Sequence, residues 1–285
     1  AMYMALYGPR FALQSADSFA GACGLKRSPV DDWLAFHLVF GKSVPDISLN
    51  AVANLGYADG RWLAPVYPGD SLTADSEVIG LRQNSNGTTG TVYVRTTGRN
   101  QHGAAVIDYV RWVMVRKRDP ASPAPETVIP DLPEAVTPDR LAVPEGLDFS
   151  GYDPVRAGSA HFWDDYAPGE KIDHVDGMTI EEAEHQLATR LYQNTARVHF
   201  DQHRQGQERL GRRLIYGGHV ISLARALSFN GLGNACVVAA LNAGRHVNPT
   251  LAGHTVYAWS QVLERAELPG RRDVGALRVR TVATR

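Results

Sequence analysis

The chain has 285 residues, 44% hydrophobic and 21% charged, enough to bury one large core or two of ordinary size. Its 29 Lys and Arg against 30 Asp and Glu leave a formal charge of -1, which removes any global pull toward nucleic acid or anionic lipid. No apolar run approaches the roughly 20 residues that span a bilayer, and the N-terminus lacks the charged-then-apolar order of a signal peptide, so a cytoplasmic protein without membrane contact is expected. Cys23 and Cys236 both sit among small apolar neighbours, as buried free thiols do, and neither suggests a disulfide framework or a metal site.

In chain order, Asp31 and Asp32 precede an apolar stretch from Trp33 to Phe40 that reads as a buried helix. Alternating segments near 71–79, 90–98 and 104–116 read as strands. The run Asp119-Pro120-Ala121-Ser122-Pro123-Ala124-Pro125, with further prolines at 130, 133, 138 and 144, repeatedly removes backbone donors and predicts an extended connector. Beyond it, Thr179-Ile180-Glu181-Glu182 has the form of a capping box, and Ile180, Ala183, Leu187, Ala188 and Leu191 share one face of a helix expected over 180–193. Gly217-Gly218 opens a second helix that is apolar over much of its circumference and should stop at Asn230-Gly231. Strands are expected from Gly253 onward, with Val256, Ala258, Ser260 and Val262 on one face, and again over 277–282.

Two separated segments repeat at nearly one offset. Gly60-Arg61, Pro65 and Gly69 match Gly244-Arg245, Pro249 and Gly253 at a shift of 184, and Val94-Arg95-Thr96 matches Val279-Arg280-Thr281 at 185. Duplication of one α+β domain follows, each copy an apolar helix wrapped by a curved antiparallel sheet. The division expected is 1–118, a proline-rich linker over 119–158, and 159–285. The region 163–190 has no counterpart before Tyr7, and the strand at 104–116 has none after Arg285, so both ends of a longer chain are expected to be missing.

The polar segment Tyr192 to Asp201 follows the 180–193 helix. Asn194 and His199, five residues apart, converge on one ligand or water if the backbone turns between them. Asn is equally a common helix C-terminal residue, and His a common satisfied polar group in a core. Gly218 at the mouth of a buried helix leaves N–H groups open to a developing oxyanion, or simply permits tight packing.

These positions carry a resemblance. Asn194, His199 and Gly218 match the motif of the MaoC-like, hydratase 2 group of hot-dog enzymes, which places an Asp and a His five apart and a Gly at the start of the central helix. Phe40 to Asn50 (FGKSVPDISLN) and Ile215 to Arg225 (IYGGHVISLAR) match one branch of that group most specifically, the branch that adds water reversibly to mesaconyl-CoA. The resemblance implies a tandem, or double, hot-dog fold, an acyl-CoA substrate, no cofactor and a homodimer. It also implies roles: His199 as base, Gly218 N–H as enolate donor, and Asn194 as the group that orients water. Asn stands where the group has a carboxylate and cannot relay a proton, which leaves both transfers to His199 or brings in Asp201, otherwise a helix cap. Arg197, where the general motif has a proline, suits the free carboxylate of a dicarboxylic acyl group or an ion pair at the rim. Arg10 is its first-copy counterpart, and Tyr192 is a further substrate contact. Aligning Tyr7 with Tyr192 puts Gly8-Pro9 at the amide position and Gln14 opposite His199, so the first copy is expected to bind and not to catalyse. The readings that compete are a broader (R)-specific enoyl-CoA hydratase, a hot-dog thioesterase and an acyl-CoA binding protein.

Overall fold

A computed structural model describes residues 1–49 and 51–285. Asn50, the last residue of the 40–50 match, lies outside the described residues. Short helices α1 (Met2–Tyr7), α2 (Ala12–Ser15) and α3 (Asp17–Ala22) lead into the long helix α4 (Asp32–Ile47) and strands β1 (Ala51–Trp62), β2 (Thr73–Gln83), β3 (Thr89–Arg99) and β4 (Ala105–Arg116). After an irregular stretch come α5 (Pro154–Ala157), β5 (Lys171–Thr179), α6 (Glu182–Leu191), α7 (Gln202–Gln205), α8 (Gly217–Leu227), the turn-like α9 (Phe229–Leu232), β6 (Ala240–Gly244), β7 (Thr255–Glu267) and β8 (Gly275–Thr284).

Helix α4 begins where the acidic pair predicts: the Asp31 carboxylate accepts the Trp33 N–H at 2.9 Å as an N-cap. Trp33, Phe36, Val39, Phe40 and Val44 then bury one face. The helix runs seven residues past Phe40, because Gly41 lets the backbone carbonyl of Tyr192 lie where a Cβ would stand. The α6 capping box is shifted two residues from the sequence expectation: Thr179 ends β5, and Glu181 with Glu184 forms the reciprocal cap. Helix α8 opens at Gly217 as expected but ends at Leu227, before the non-helical pair Asn230 and Gly231.

Two antiparallel sheets cover these helices, one in the order β2-β3-β4-β1-β6 and one in the order β5-β7-β8. Helix α4 lies on β2 and β3, and α8 lies on β5, β7 and β8. The seam is the pairing of β1 with β6, where Tyr57 faces Gly244 and Gly60 faces Leu241. Shifting the first pair by 184 residues, Tyr57 to Leu241 and Gly244 back to Gly60, reproduces the second pair. The β1–β6 pairing therefore carries a local twofold relation with the same offset as the repeat. The proline-rich stretch is extended, as its composition predicts, and it lies along the five-stranded sheet. Val128 bridges Leu81, Arg140 reaches Asp59 at 3.2 Å, and Val136 N–H donates to Asn242 Oδ1 at 2.8 Å.

One apolar core joins α4, β1 and β4 to α1, α6, α8 and β7. Phe36 is fully excluded from solvent, with Trp33, Tyr57, Trp62 and Tyr109 within 4.9–6.1 Å of its ring. Phe36→Ala should therefore lower the unfolding free energy by about 3–5 kcal/mol, the usual loss for a buried aromatic ring. Urea denaturation checks this, and a loss under about 1 kcal/mol would mean that the helix does not organise this core.

Candidate active site

The segment after α6 is set by a helix ending. Gln193 N–H donates to Arg190 C=O at 3.0 Å and Asn194 N–H to Thr189 C=O at 3.1 Å, with Gln193 in the left-handed region at φ 54°. This is the Schellman arrangement, here without the usual glycine. It reverses the chain and leaves Asn194 as the first residue beyond the turn. Its Oδ1 accepts the Ala196 N–H at 2.9 Å, so its amide NH2 is the part left for other partners. A single turn over Arg197–His199 follows.

Two bonds lock His199 to the returning chain. Leu214 N–H donates to Val198 C=O at 3.0 Å, and the His199 ring holds Leu214 C=O through Nδ1 at 2.9 Å. A carbonyl can only accept, so Nδ1 carries the proton and Nε2 is the basic nitrogen. Burial drives the imidazole down to about 4, against the opposing pull of the Leu214 carbonyl, so the ring is neutral near pH 7. Its face meets Tyr216, ring centroids 5.5 Å apart.

Tyr216 is the N-cap residue of α8 and offers no side-chain cap, and the N–H groups of Gly217 and Gly218 find no acceptor among the described residues. A Cβ at Gly217 would strike the His246 ring, and one at Gly218 would strike Tyr216 and His37. Tight packing and an open donor pair thus coexist at this helix mouth.

Asn194, His199, Tyr216 and Gly217 line one cavity of about 1680 Å³, with Tyr57 and Arg111 from the first half and β6 and β8 from the second. Gly218 is buried one residue behind the lining. The other expected site residues lie elsewhere. Arg197 is exposed and off the cavity. Arg10 is exposed, lies over the Phe229 ring and donates to Asn230 Oδ1 at 2.5 Å. Asp201 caps α7 by accepting the Arg204 N–H at 3.1 Å, so the structural alternative describes it and its carboxylate is not at the cavity. Tyr192 is wholly buried behind the wall, its hydroxyl donating to that of Tyr7 at 2.5 Å.

The first half repeats the turn with different residues. Gly8 ends α1 in the left-handed region at φ 58°, as Gln193 does after α6, and the Gln14 amide is spent on the Cys236 carbonyl at 2.6 Å. Sequence reasoning missed what the first half does contribute, because these residues come from α4 and not from the repeat motif. His37, fully buried, bonds the Tyr216 hydroxyl at 3.2 Å and the Ser222 hydroxyl at 3.1 Å.

With this geometry in view, comparison with known proteins gives one answer. A family model described as mesaconyl-CoA hydratase matches residues 12–285. The chain belongs to the mesaconyl-CoA hydratase family. The β-methylmalyl-CoA dehydratase of Chloroflexus aurantiacus is 63% identical over 285 residues, covering 100% of this chain and 81% of that protein. The mesaconyl-CoA hydratase of Cereibacter sphaeroides is 65% identical, covering 99% of this chain and 81% of that one. A solved MaoC domain dehydratase from Chloroflexus aurantiacus superposes with a TM-score of 0.97 at 63% identity, over 99% of this chain and 81% of its own. A Mycobacterium tuberculosis protein with a double hot-dog fold superposes with a TM-score of 0.76 at 25% identity, over 99% and 83%. The fold of this family member is the double hot-dog.

Burial lowers His37 and His219 to about 3, so the folded chain refuses protons that the unfolded chain accepts below pH about 6.5. A depressed histidine gives stability that is whole above that pH and is lost as pH falls. His219→Gln removes one such group. Its stability gap to wild type should shrink by about 1.4 kcal/mol per pH unit between pH 6 and 4, measured by urea denaturation. A gap that stays constant or widens would show that His219 is charged in the fold.

Proposed function

We propose that this chain hydrates mesaconyl-CoA reversibly to β-methylmalyl-CoA, with His199 as the one proton carrier. As a member of its family the chain is a hydro-lyase. The observation that carries the assignment of roles is the neutral His199, its Nδ1 tied to Leu214 C=O, in a cavity wall shared with Asn194 and the open mouth of α8.

Water sits between the Asn194 amide NH2 and His199 Nε2 in this reading. Nε2 takes a proton as the water oxygen bonds to the β-carbon, and the electrons of the C=C bond move to the thioester oxygen. The Gly217 N–H at the cavity wall faces that charge, with the buried Gly218 N–H behind it and the positive end of the α8 dipole adding to the field. The electrons then return to form a C–H bond at the α-carbon with the proton from His199 Nε2, which restores the neutral ring. Atoms balance with water as the only other reactant. Since Asp201 is engaged at α7, no second acid is called on. The first half holds the CoA arm and closes the cleft. A homodimer of such chains in the cytosol completes the reading.

Following enoyl thioester absorbance together with free thiol separates the candidate activities. Loss of the enoyl signal without thiol is expected; thiol release would mean a thioesterase, and no change a binding protein. His199→Ala should lower the hydration rate by about 10²–10⁴-fold, the range for a general acid–base group, whereas Asn194→Asp should stay within about tenfold of wild type. Retention of more than about a tenth of the rate in His199→Ala would remove it from the chemistry.

A further inference from the structure

The cavity has a cation that the fold does not neutralise. Arg111 stands in β4 opposite Tyr57 of β1 and has no solvent exposure. Its Nη1 donates to Ser48 Oγ at 2.9 Å and its Nη2 to Ser43 Oγ at 3.0 Å, while the Phe40 ring lies 4.2 Å from Cζ. Among the described residues the Nε–H finds no acceptor, and no carboxylate lies within 4.0 Å of the guanidinium. Neighbouring arginines are treated differently: Arg61 and Arg95 share Asp108, and Arg225, also on the cavity wall, has Asp31 and Asp32 as counter-charges.

A buried guanidinium supported by two neutral hydroxyls and one aromatic face is costly, because neither replaces a counter-ion. Such a charge is kept where an anion arrives from outside. Burial raises the phenols of Tyr57 and Tyr216, and the nearby Arg111 opposes both shifts. Tyr216 in turn meets the His199 ring.

We infer that Arg111 is the receptor for the free carboxylate of the acyl group, so that the non-catalytic half selects dicarboxylic over monocarboxylic acyl-CoA thioesters. The inference rests on the acyl-CoA reading above and places the selecting charge at Arg111, not at the exposed Arg197. A low-dielectric wall screens this attraction weakly, so one charge suffices for strong selection.

Two saturated thioesters, which have no C=C bond to hydrate, test it apart from turnover: freshly prepared succinyl-CoA, which carries a free carboxylate, and butyryl-CoA, which does not. Calorimetry on the wild type should show succinyl-CoA bound at least tenfold more tightly. Arg111→Met should erase that preference while melting no lower than wild type, since it removes an uncompensated buried charge. Equal affinities in the wild type, or a preference that survives in Arg111→Met, would overturn the inference. Should Arg111→Met not fold, Arg111→Gln carries the same comparison, and the wild-type pair decides by itself whether a carboxylate is read. A wild type that prefers succinyl-CoA yet hydrates no enoyl thioester would defeat the hydratase reading and leave the Arg111 receptor standing.

Discussion

The site depends on a buried chain of hydrogen bonds that crosses between the two halves. Tyr192 donates to Tyr7, whose hydroxyl meets His219 Nδ1 at 2.8 Å, and His37 ties Tyr216 to Ser222. These groups come from α1, α4, α6 and α8, so one polar cluster sets the spacing of four helices inside an apolar core. Buried polar groups of this kind are costly when unpaired and restrictive when paired. Their effect is to hold Tyr216, and with it the open end of α8, against the His199 ring.

Duplication leaves a related turn in each half. Both halves end a helix in a left-handed residue, Gly8 in one and Gln193 in the other, and then turn toward the core. After that turn only the second half supplies an amide and an imidazole, and only there does a chain segment return to hold the ring through Leu214. The first half lends residues of α4 and β4 to the cavity wall. Its helix α4 puts His37 behind Tyr216, and its strand β4 puts Arg111 beside the cavity.

Much of this was legible in sequence where one signal dominated. The alternation from Val256 to Val262 and the glycine-opened apolar helix at 217 correspond to β7 and α8, and the burial alternates as the pattern predicts. Strand β1 was not legible, because Gly56, Gly60 and the bulges after Asn54 and Ala58 break its period of two. The β1–β6 seam was hidden for a related reason: β6 has only five residues, none of them fully buried. The Schellman turn was invisible at Gln193, which is not a glycine, though Gly8 in the first copy marks the same turn. Arg197 drew attention through its place in the motif, but motif adjacency does not fix direction, and the chain carries its side chain to the surface. Arg111 gave no local signal, since its meaning lies in the absence of a counter-ion, which only the packed structure displays.

The central claim is that a neutral His199, protonated on Nδ1 by its bond to Leu214, offers Nε2 to the reacting water. Nitrogen-15 NMR of ring-labelled protein, with His199→Gln to assign the signal, reads this tautomer directly. The account predicts a neutral Nδ1–H ring from pH 8 to about 5, with protonation centred on about 4. A ring protonated on Nε2, or an imidazolium at pH 7, would contradict it.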